Sequence, residues 1–556
     1  MILDKKNIKN QEQNSTKNRL KQVFVIFILG YLVLVAKLFD YVSFADNSIK
    51  SSSYVKADNL SRPIIIDRNG YTLAHDIEVP SLAVNPRLLI NIEDTIDQLM
   101  IAIPGGFNRD SLRKKLNSKA SFVWLKRGIE PHQKAAIHAL GIPGIRFEDE
   151  TNRFYPYSNK LSHVIGYTNI DNIGQAGIER HIDSNLLKDS NFYQDSKNIQ
   201  LSIDLKVTHA MRDELKKSLE KYKAIAAAGI LMDINNGEVI SLVSLPDFDP
   251  HSPETSQDPN YLNRITNGAY EIGSTFKSFT VAMALDLGIA DLDTIFDARN
   301  PLQIGRRTIR DDHAQNRMLT LTEVYTYSSN IGTSRMAIEI GGDRFAQFLK
   351  KFGMVNRIKT ELPELSSTLL KPKWGQIQLA TASFGHGIAI TPLHAAAAGA
   401  SILNGGIYIN PTFLKRTNDT NIEMRRAVDF TTSKKVRKLM YLNAINGTAK
   451  KAQVDGYHVG GKTGSGEKVE NGTYNKDKLL TTFMGAFPID DPKYILFLLL
   501  DEPKRIDETR GQRTAGWNAA PTFSNIVSRI APMLGVKRSV GPSMFDEELT
   551  IASAVN

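Results

Sequence analysis

Ser274-Thr275-Phe276-Lys277, Ser328-Ser329-Asn330 and Lys462-Thr463-Gly464 follow one another along a chain of 556 residues. Together they supply the parts of a serine acyl-transfer site whose base is a lysine. A hydroxyl at its free pKa is a poor nucleophile and needs a base within hydrogen-bond reach. Residues i and i+3 share a helical face, so a helix opening after Gly273 points Ser274 and Lys277 into one cleft. Burial and neighbouring cations lower a lysine pKa, which leaves a neutral amine able to take the Ser274 proton. The free N–H groups and dipole of the helix start favour a developing oxyanion. A hydroxyl of the second motif, Ser328, can relay the proton to a leaving amine, while the Asn330 amide holds Lys277 or the substrate backbone. In GGKTGSG (460–466), glycine lets a strand edge approach a ligand closely. There Lys462 supplies positive potential, and the hydroxyls of Thr463 and Ser465, flanking Gly464, suit a substrate carboxylate.

Taken singly, each motif reads as an ordinary cap or turn. The S-x-x-K spacing recurs at Ser53/Lys56, Ser111/Lys114, Ser218/Lys221 and Ser465/Lys468, so the ordered triplet carries the information. Gly456 to Thr463 also fits the phosphate-loop pattern G-x-x-x-x-G-K-[ST], and Leu496 to Glu502 resembles a magnesium-binding strand end. A nucleotide-hydrolysing loop must lead directly into a helix, whereas Gly464 to Lys478 reads as strand end and loop. Zero cysteines exclude thiolate catalysis and Cys-ligated zinc, and the eleven histidines form no H-E-x-x-H, so no metal and no cofactor is expected. A net charge of +10 suits an anionic partner, but without a basic-aromatic stripe nucleic acid is not expected.

Residues 1–21 form a basic tail (Lys5, Lys6, Lys9, Lys17, Arg19, Lys21), followed by the apolar run QVFVIFILGYLVLVA. With Leu38-Phe39 and Tyr41 to Phe44 the run reaches bilayer length over 22–44 if Lys37 snorkels. The charge bias puts the N-terminus in the cytoplasm and the rest outside. A cleavable signal ending at Ser43-Phe44-Ala45 is the alternative. Beyond it, RPIIIDRNG (62–70) reads as a strand and Asn-Gly turn. Residues 45–222 mix short strands with helices such as Leu112–Asn117 and Pro131–Leu140, and carry no catalytic constellation. A hairpin signal at Asn236-Gly237 between two apolar runs opens a second domain, 223–535. Helices are expected over Ser274–Leu287, Leu321–Ile340 and Pro392–Asn404, and strands over Thr481–Phe487 and Tyr494–Leu500. Sheet at both ends with helices between predicts an α/β or α+β domain closed by its terminal strands. Residues 536–556 read as a loose tail.

The ordered triplet resembles that of the penicillin-binding proteins and serine β-lactamases, and nearly the whole chain resembles a class B penicillin-binding protein. Further segments of that likeness are RFYPYSNKLSHVIGY (153–167), GQAGIER (174–180) and YEIGSTFK at the nucleophile. FGHGIAITPLH (384–394) and TAGWNAAP (514–521) are most similar to the division-specific branch. The resemblance implies a transpeptidase/β-lactamase-like domain on an elongated α+β pedestal behind a single inner-membrane span, with the catalytic domain periplasmic. It implies that Ser274 is acylated by a D-Ala-D-Ala stem peptide of peptidoglycan, releases D-Ala, and is attacked by a neighbouring stem's amine. The Ser274 and Ser465 N–H groups would form the oxyanion hole, and β-lactams would acylate Ser274. A membrane glycan polymerase and division proteins would be partners. Serine β-lactamase and penicillin-binding sensor share the acylation apparatus and stay open. Two departures stand out: Ile272 replaces a usual proline, and Ser465-Gly466 a usual Thr-Ala.

Overall fold

The computed structural model describes residues 62–546, except 187–197, 254–258, 372, 418 and 471, together with residues 25, 27–35 and 37. Residues 27–35 are helical, with exposed apolar side chains such as Phe27, Leu32 and Leu34. Among the described residues no helix is long and apolar enough to cross a membrane. Most of the expected span 22–44 lies outside the described residues.

From Pro63 onward the chain forms one unit. Strand β1 (Ile64–Ile66) ends in a turn in which Asp67 Oδ1 accepts from the Asn69 and Tyr71 N–H groups, each at 2.8 Å. Strand β2 (Thr72–Val84) pairs antiparallel with β1, β3 (Val123–Lys126) and β4 (Ile145–Phe154), while β5 (Asn198–Gln200) runs parallel to β1. Helices α1 (Ile92–Ala102) and α2 (Arg109–Leu116), each capped by an asparagine side chain, and α3 (Pro131–Ala139) give the far end its own core. Leu82, Ile96, Leu99, Leu112, Leu125 and Ile137 meet there. The near end, through Ile65, Leu73, Tyr155, Val164 and Ile178, is continuous with the core of the C-terminal half. Buried Arg153, from RFYPYS, braces this near end from within. It donates to Glu179 of GQAGIER (2.7 Å), Asp76 (3.0 Å) and the Pro63 carbonyl (2.7 Å).

The C-terminal half is built on a five-stranded antiparallel sheet. Helix α4 (Leu205–Lys221) leads into β6 (Ala226–Asp233) and β7 (Val239–Leu245), joined at Asn236-Gly237, where glycine takes φ +75°. The remaining strands come from the other end of the domain: β8 (Gly460–Glu470), β9 (Thr473–Phe487) and β10 (Tyr494–Asp501). The order is β8-β9-β10-β6-β7, so terminal strands close the sheet. Both faces are covered, which is why β10 reads as an unbroken apolar run. Ile495, Phe497 and Leu499 face one core, and Leu496, Leu498 and Leu500 face the other. On the first face lie α5 (Lys277–Asp286), α6 (Asn330–Ile340), α7 (Pro392–Leu403) and α8 (Phe430–Asn446); on the second, α4 and α9 (Ala519–Met533). Helix α7 crosses the sheet closely because it is made of small residues. A Cβ on Gly399 would come within 2.4 Å of Ile495.

Two expectations change. The single helix expected over 321–340 is two, Leu321–Thr326 and α6, because Ser328 takes φ +62° and breaks the backbone path. The chain from 536 is docked as far as Asp546 rather than loose. Phe545 is buried, Tyr441 Oη donates to Asp546 at 2.6 Å, and Ser543 Oγ bonds Asp490.

Candidate active site

The nucleophile motif begins as a tight 3-10 turn, Gly273–Phe276, and continues as α5, so the helical start expected at Ser274 is a turn of narrower pitch. Gly273 takes φ +56° and faces β8 at close range; a Cβ there would lie 2.6 Å from the Ser465 carbonyl oxygen. Gly464 faces back, with a hypothetical Cβ 2.3 Å from the Ile272 carbonyl. That carbonyl accepts from Thr275 Oγ1 (2.7 Å) and Thr482 Oγ1 (3.0 Å), so the turn and sheet are interlocked through backbone. Side chains larger than hydrogen are excluded here for a physical reason, and Gly466 belongs to the same seam. An alanine Cβ at 466 would come within 2.8 Å of the Glu271 carbonyl.

Ser274 is half-buried and opens on a cleft of about 580 Å³, shared with Tyr327, Ser328, Thr463 and Ser465. Lys277 and Lys462 are completely buried beneath it. Lys277 Nζ donates to the Ser328 carbonyl (2.5 Å), Ser328 Oγ (3.1 Å) and Asn330 Oδ1 (2.7 Å). Lys462 Nζ reaches the same Ser328 Oγ at 3.0 Å. The expected direct contact between Ser274 and Lys277 is absent as a hydrogen bond among the described residues, because the three Lys277 contacts go to the second motif. Burial drives the Lys277 amine down to about 7, against the opposing charges of Asp311 and Asp312. Burial, then the adjacent Lys277 charge, drives Lys462 well below its ordinary value.

The second motif is held by a residue that sequence reasoning missed. Asp311 accepts from Ser329 Oγ (2.7 Å) and the Ile331 N–H (2.9 Å), while Ser329 Oγ caps α6 by accepting from the Gly332 N–H (3.0 Å). Asn330 Nδ2 donates to the Arg310 carbonyl at 3.0 Å, which leaves its oxygen facing Lys277. Asn443 and Thr448 were missed as well. Asn443 Nδ2 donates to the Gly461 carbonyl (2.8 Å), and its Oδ1 accepts from the Thr448 N–H (3.0 Å); Thr463 Oγ1 donates to Thr448 Oγ1 (2.8 Å). Ser465 Oγ accepts from the Ala515 N–H of TAGW at 3.0 Å, so its own proton is free to face the cleft. The phosphate-loop reading fails on geometry, since β8 runs through Lys462-Thr463 to Glu470 with no helix after it. No cluster of metal-ligating side chains occurs among the described residues.

The family model "Penicillin binding protein transpeptidase domain" matches residues 227–528, and "Penicillin-binding Protein dimerisation domain" matches 58–198. The chain belongs to the penicillin-binding protein transpeptidases. It is 37% identical over 518 residues to a probable peptidoglycan D,D-transpeptidase FtsI of Caulobacter vibrioides, covering 91% of this chain and 86% of the relative. It is 28% identical to the peptidoglycan D,D-transpeptidase FtsI of Escherichia coli, covering 87% and 85%. Penicillin-binding protein 3 of Mycobacterium tuberculosis, solved with aztreonam, shares its fold with a TM-score of 0.67 at 21% identity, covering 87% of this chain and 98% of that one.

Proposed function

We infer that the protein is a penicillin-binding peptidoglycan D,D-transpeptidase of cell division, which joins stem peptides through an acyl-enzyme on Ser274. The observation that carries this reading is the pairing of two buried lysines on one hydroxyl beside a cleft-facing serine, in a chain whose relatives are named D,D-transpeptidases. When Lys277 is neutral, it keeps its N–H bonds to the Ser328 carbonyl and Asn330 Oδ1, since neither oxygen has a proton to give. Its lone pair is then left for a hydroxyl proton. As Ser274 Oγ bonds to the penultimate D-Ala carbonyl carbon, Lys277 takes the Ser274 proton. Ser328, between the two amines, passes a proton to the nitrogen of terminal D-Ala as that C–N bond breaks. The acceptor amine reverses the sequence: a new C–N bond forms, the ester to Ser274 breaks, and the amine's proton returns to Ser274. The Ser274 and Ser465 N–H groups stabilise the oxyanion, and Thr463, Gly464 and Ser465 hold the peptide along the outer edge of β8, the end strand of the sheet.

Residues 45–222 serve as the pedestal and 223–535 as the transpeptidase domain, behind a cytoplasmic tail and a single inner-membrane span at 22–44. The exposed apolar side chains of 27–35 support that anchor. A membrane glycan polymerase and division proteins are the expected partners. Labelling with a fluorescent penicillin tests the reading: wild type is labelled and Ser274→Ala is not, and retained labelling would overturn the nucleophile assignment. An adduct lasting many minutes separates this enzyme from a β-lactamase, and crosslinked product separates it from a sensor.

A further inference from the structure

Two segments that the acyl-transfer chemistry leaves unused, RFYPYSNKLSHVIGY and GQAGIER, meet the C-terminal half around a second cleft, of about 190 Å³. One wall is aromatic. The rings of Phe248 and Tyr261 stack at 4.2 Å, and Tyr167 stands edge-on to them at 5.8 Å and 6.1 Å. The cleft also holds one carboxylate, Glu364, which accepts from the Gly177 N–H at 3.2 Å. Among the described residues no cation lies within ion-pair distance of it. Burial pushes this carboxyl up, against the Gly177 N–H and the more distant Arg180 charge. Burial, then the Glu364 charge, also pushes the Tyr167 phenol up, so the carboxylate and the aromatic wall are neighbours.

The amides and the aliphatic hydroxyl of the cleft each direct a donor at a main-chain carbonyl. Ser162 Oγ donates to Asn159 (3.1 Å), Gln175 Nε2 to Ile173 (3.0 Å) and Asn263 Nδ2 to His163 (3.1 Å). The His163 side chain is buried, and burial holds its imidazole down to about 4, so the ring is neutral. That ring donates to the Pro246 carbonyl, which leaves Nε2, buried and without a partner, as an acceptor. Such a cleft suits a ligand that donates, carries positive charge and has a flat face to lay on aromatic rings. A guanidinium meets all three conditions, with five N–H donors, no acceptor and a planar cation. The volume lies below the range of about 300–1,000 Å³ usual for a whole small-molecule ligand. It fits one side chain reaching in from a bound chain.

We propose that this cleft is a docking site for an arginine side chain of a partner polypeptide. The guanidinium stacks on the aromatic wall and donates to Glu364 and to His163 Nε2. His163 and Tyr167 belong to the N-terminal half, and Phe248, Tyr261 and Glu364 to the C-terminal half, so a partner seated here grips both at once. The inference stands apart from the acyl-transfer reading of Ser274, whose cleft shares none of these residues.

The test measures, by saturation-transfer difference NMR on the full-length protein in detergent, the binding of three Nα-acetylated amino-acid amides. These are arginine, citrulline (the same shape without the charge) and lysine (the charge without the plane). Arginine should bind about fivefold more tightly than citrulline, the size of one partly exposed ion pair, and more tightly than lysine. Glu364→Gln should remove the preference over citrulline, and Tyr167→Leu should weaken arginine binding about threefold. Both variants should label with fluorescent penicillin at the wild-type rate. Wild-type protein that binds citrulline or lysine as well as arginine, or that binds no probe, overturns the inference. A Glu364→Gln protein that keeps the preference overturns it too. The comparison among probes needs no substitution, so it decides the matter even where a variant misfolds. Probe binding and penicillin labelling are read separately, and loss of labelling in the wild type bears on Ser274 alone.

Discussion

Lys277 and Lys462 meet at one oxygen: Ser328 Oγ lies 3.1 Å from the first amine and 3.0 Å from the second. A hydroxyl has one proton and two lone pairs, so it can accept from one amine while donating to the other. Two full positive charges this close, and both buried, are costly. The pair therefore favours holding one proton fewer, and Ser328 Oγ is the atom that links the two amines, as the proposed relay requires. The left-handed backbone of Ser328 makes the link possible, because it turns both the carbonyl and the hydroxyl of one residue toward Lys277.

The first prediction concerns the rate. Lys277 accepts a proton only when neutral, and burial places its titration at about 7. The second-order rate of penicillin acylation should rise tenfold per pH unit below that point and level off above it. Asp312 holds the Lys277 value up, so Asp312→Asn should move the rising limb toward acid pH. A profile flat from pH 5 to 9 would remove Lys277 from the role of base.

The same shift has a signature in stability. In the unfolded chain a lysine keeps its proton to about 10.4, whereas folded Lys277 releases it near 7. Between those values the unfolded state binds the extra proton, so the Lys277 contribution to stability rises with pH, by about 1.4 kcal/mol per unit. Denaturant unfolding of wild type and Lys277→Met at pH 7 and 9 isolates it. The wild type should gain about 2.3 kcal/mol more than the variant across that interval, because folded Lys277 is still half-protonated at pH 7. Equal gains would mean that Lys277 is charged in the folded protein.

Asp311 should matter to chemistry through the turn it holds. Its carboxylate takes the Ser329 hydroxyl and the Ile331 N–H, and so fixes the residues on either side of Asn330, just after Ser328. Asp311→Ala should lower penicillin acylation by about ten- to a hundredfold while costing only about 1–3 kcal/mol of stability, the cost of leaving two donors unpaired. Asp311→Asn keeps an acceptor and should recover part of the rate. Melting temperature and labelling rate, measured on the same samples, separate the two effects.

Asp311 also marks how far the sequence was legible. The three motifs stand out because each role demands a residue type at fixed local spacing, and the Asn236-Gly237 turn and the runs of β9 and β10 stand out because period and turn chemistry are local. Asp311, Asn443 and Thr448 belong to no spacing rule; an aspartate seventeen residues before Ser328 becomes its neighbour only through tertiary folding. The break at Ser328 was hidden for a related reason. Leu321 to Ile340 keeps an apolar helical face on both sides of it, and the left-handed residue is stabilised by contacts to Lys277 and Lys462 from distant elements. The direct Ser274–Lys277 contact was expected from helical spacing alone, and that spacing contains nothing about the competing acceptors at 328 and 330.

The final prediction separates the seam from the chemistry. Gly464 has no titratable group, and its main chain sits between the nucleophile turn and β9. A Cβ at 464 would meet the Ile272 carbonyl at 2.3 Å and Thr482 Oγ1 at 2.4 Å. The threonine hydroxyl can rotate away, but the carbonyl belongs to the backbone just before Ser274 and already accepts two hydrogen bonds. Gly464→Ala must therefore push the turn away from β8, separating the Ser274 and Ser465 N–H groups that are proposed to share the oxyanion. Overpacking of this kind costs about 1–3 kcal/mol, too little to unfold the domain, while acylation should fall at least tenfold because each oxyanion donor is worth about a hundredfold or more. A Gly464→Ala protein that melts lower yet labels with penicillin at the wild-type rate would show that the close approach of turn and strand serves packing alone.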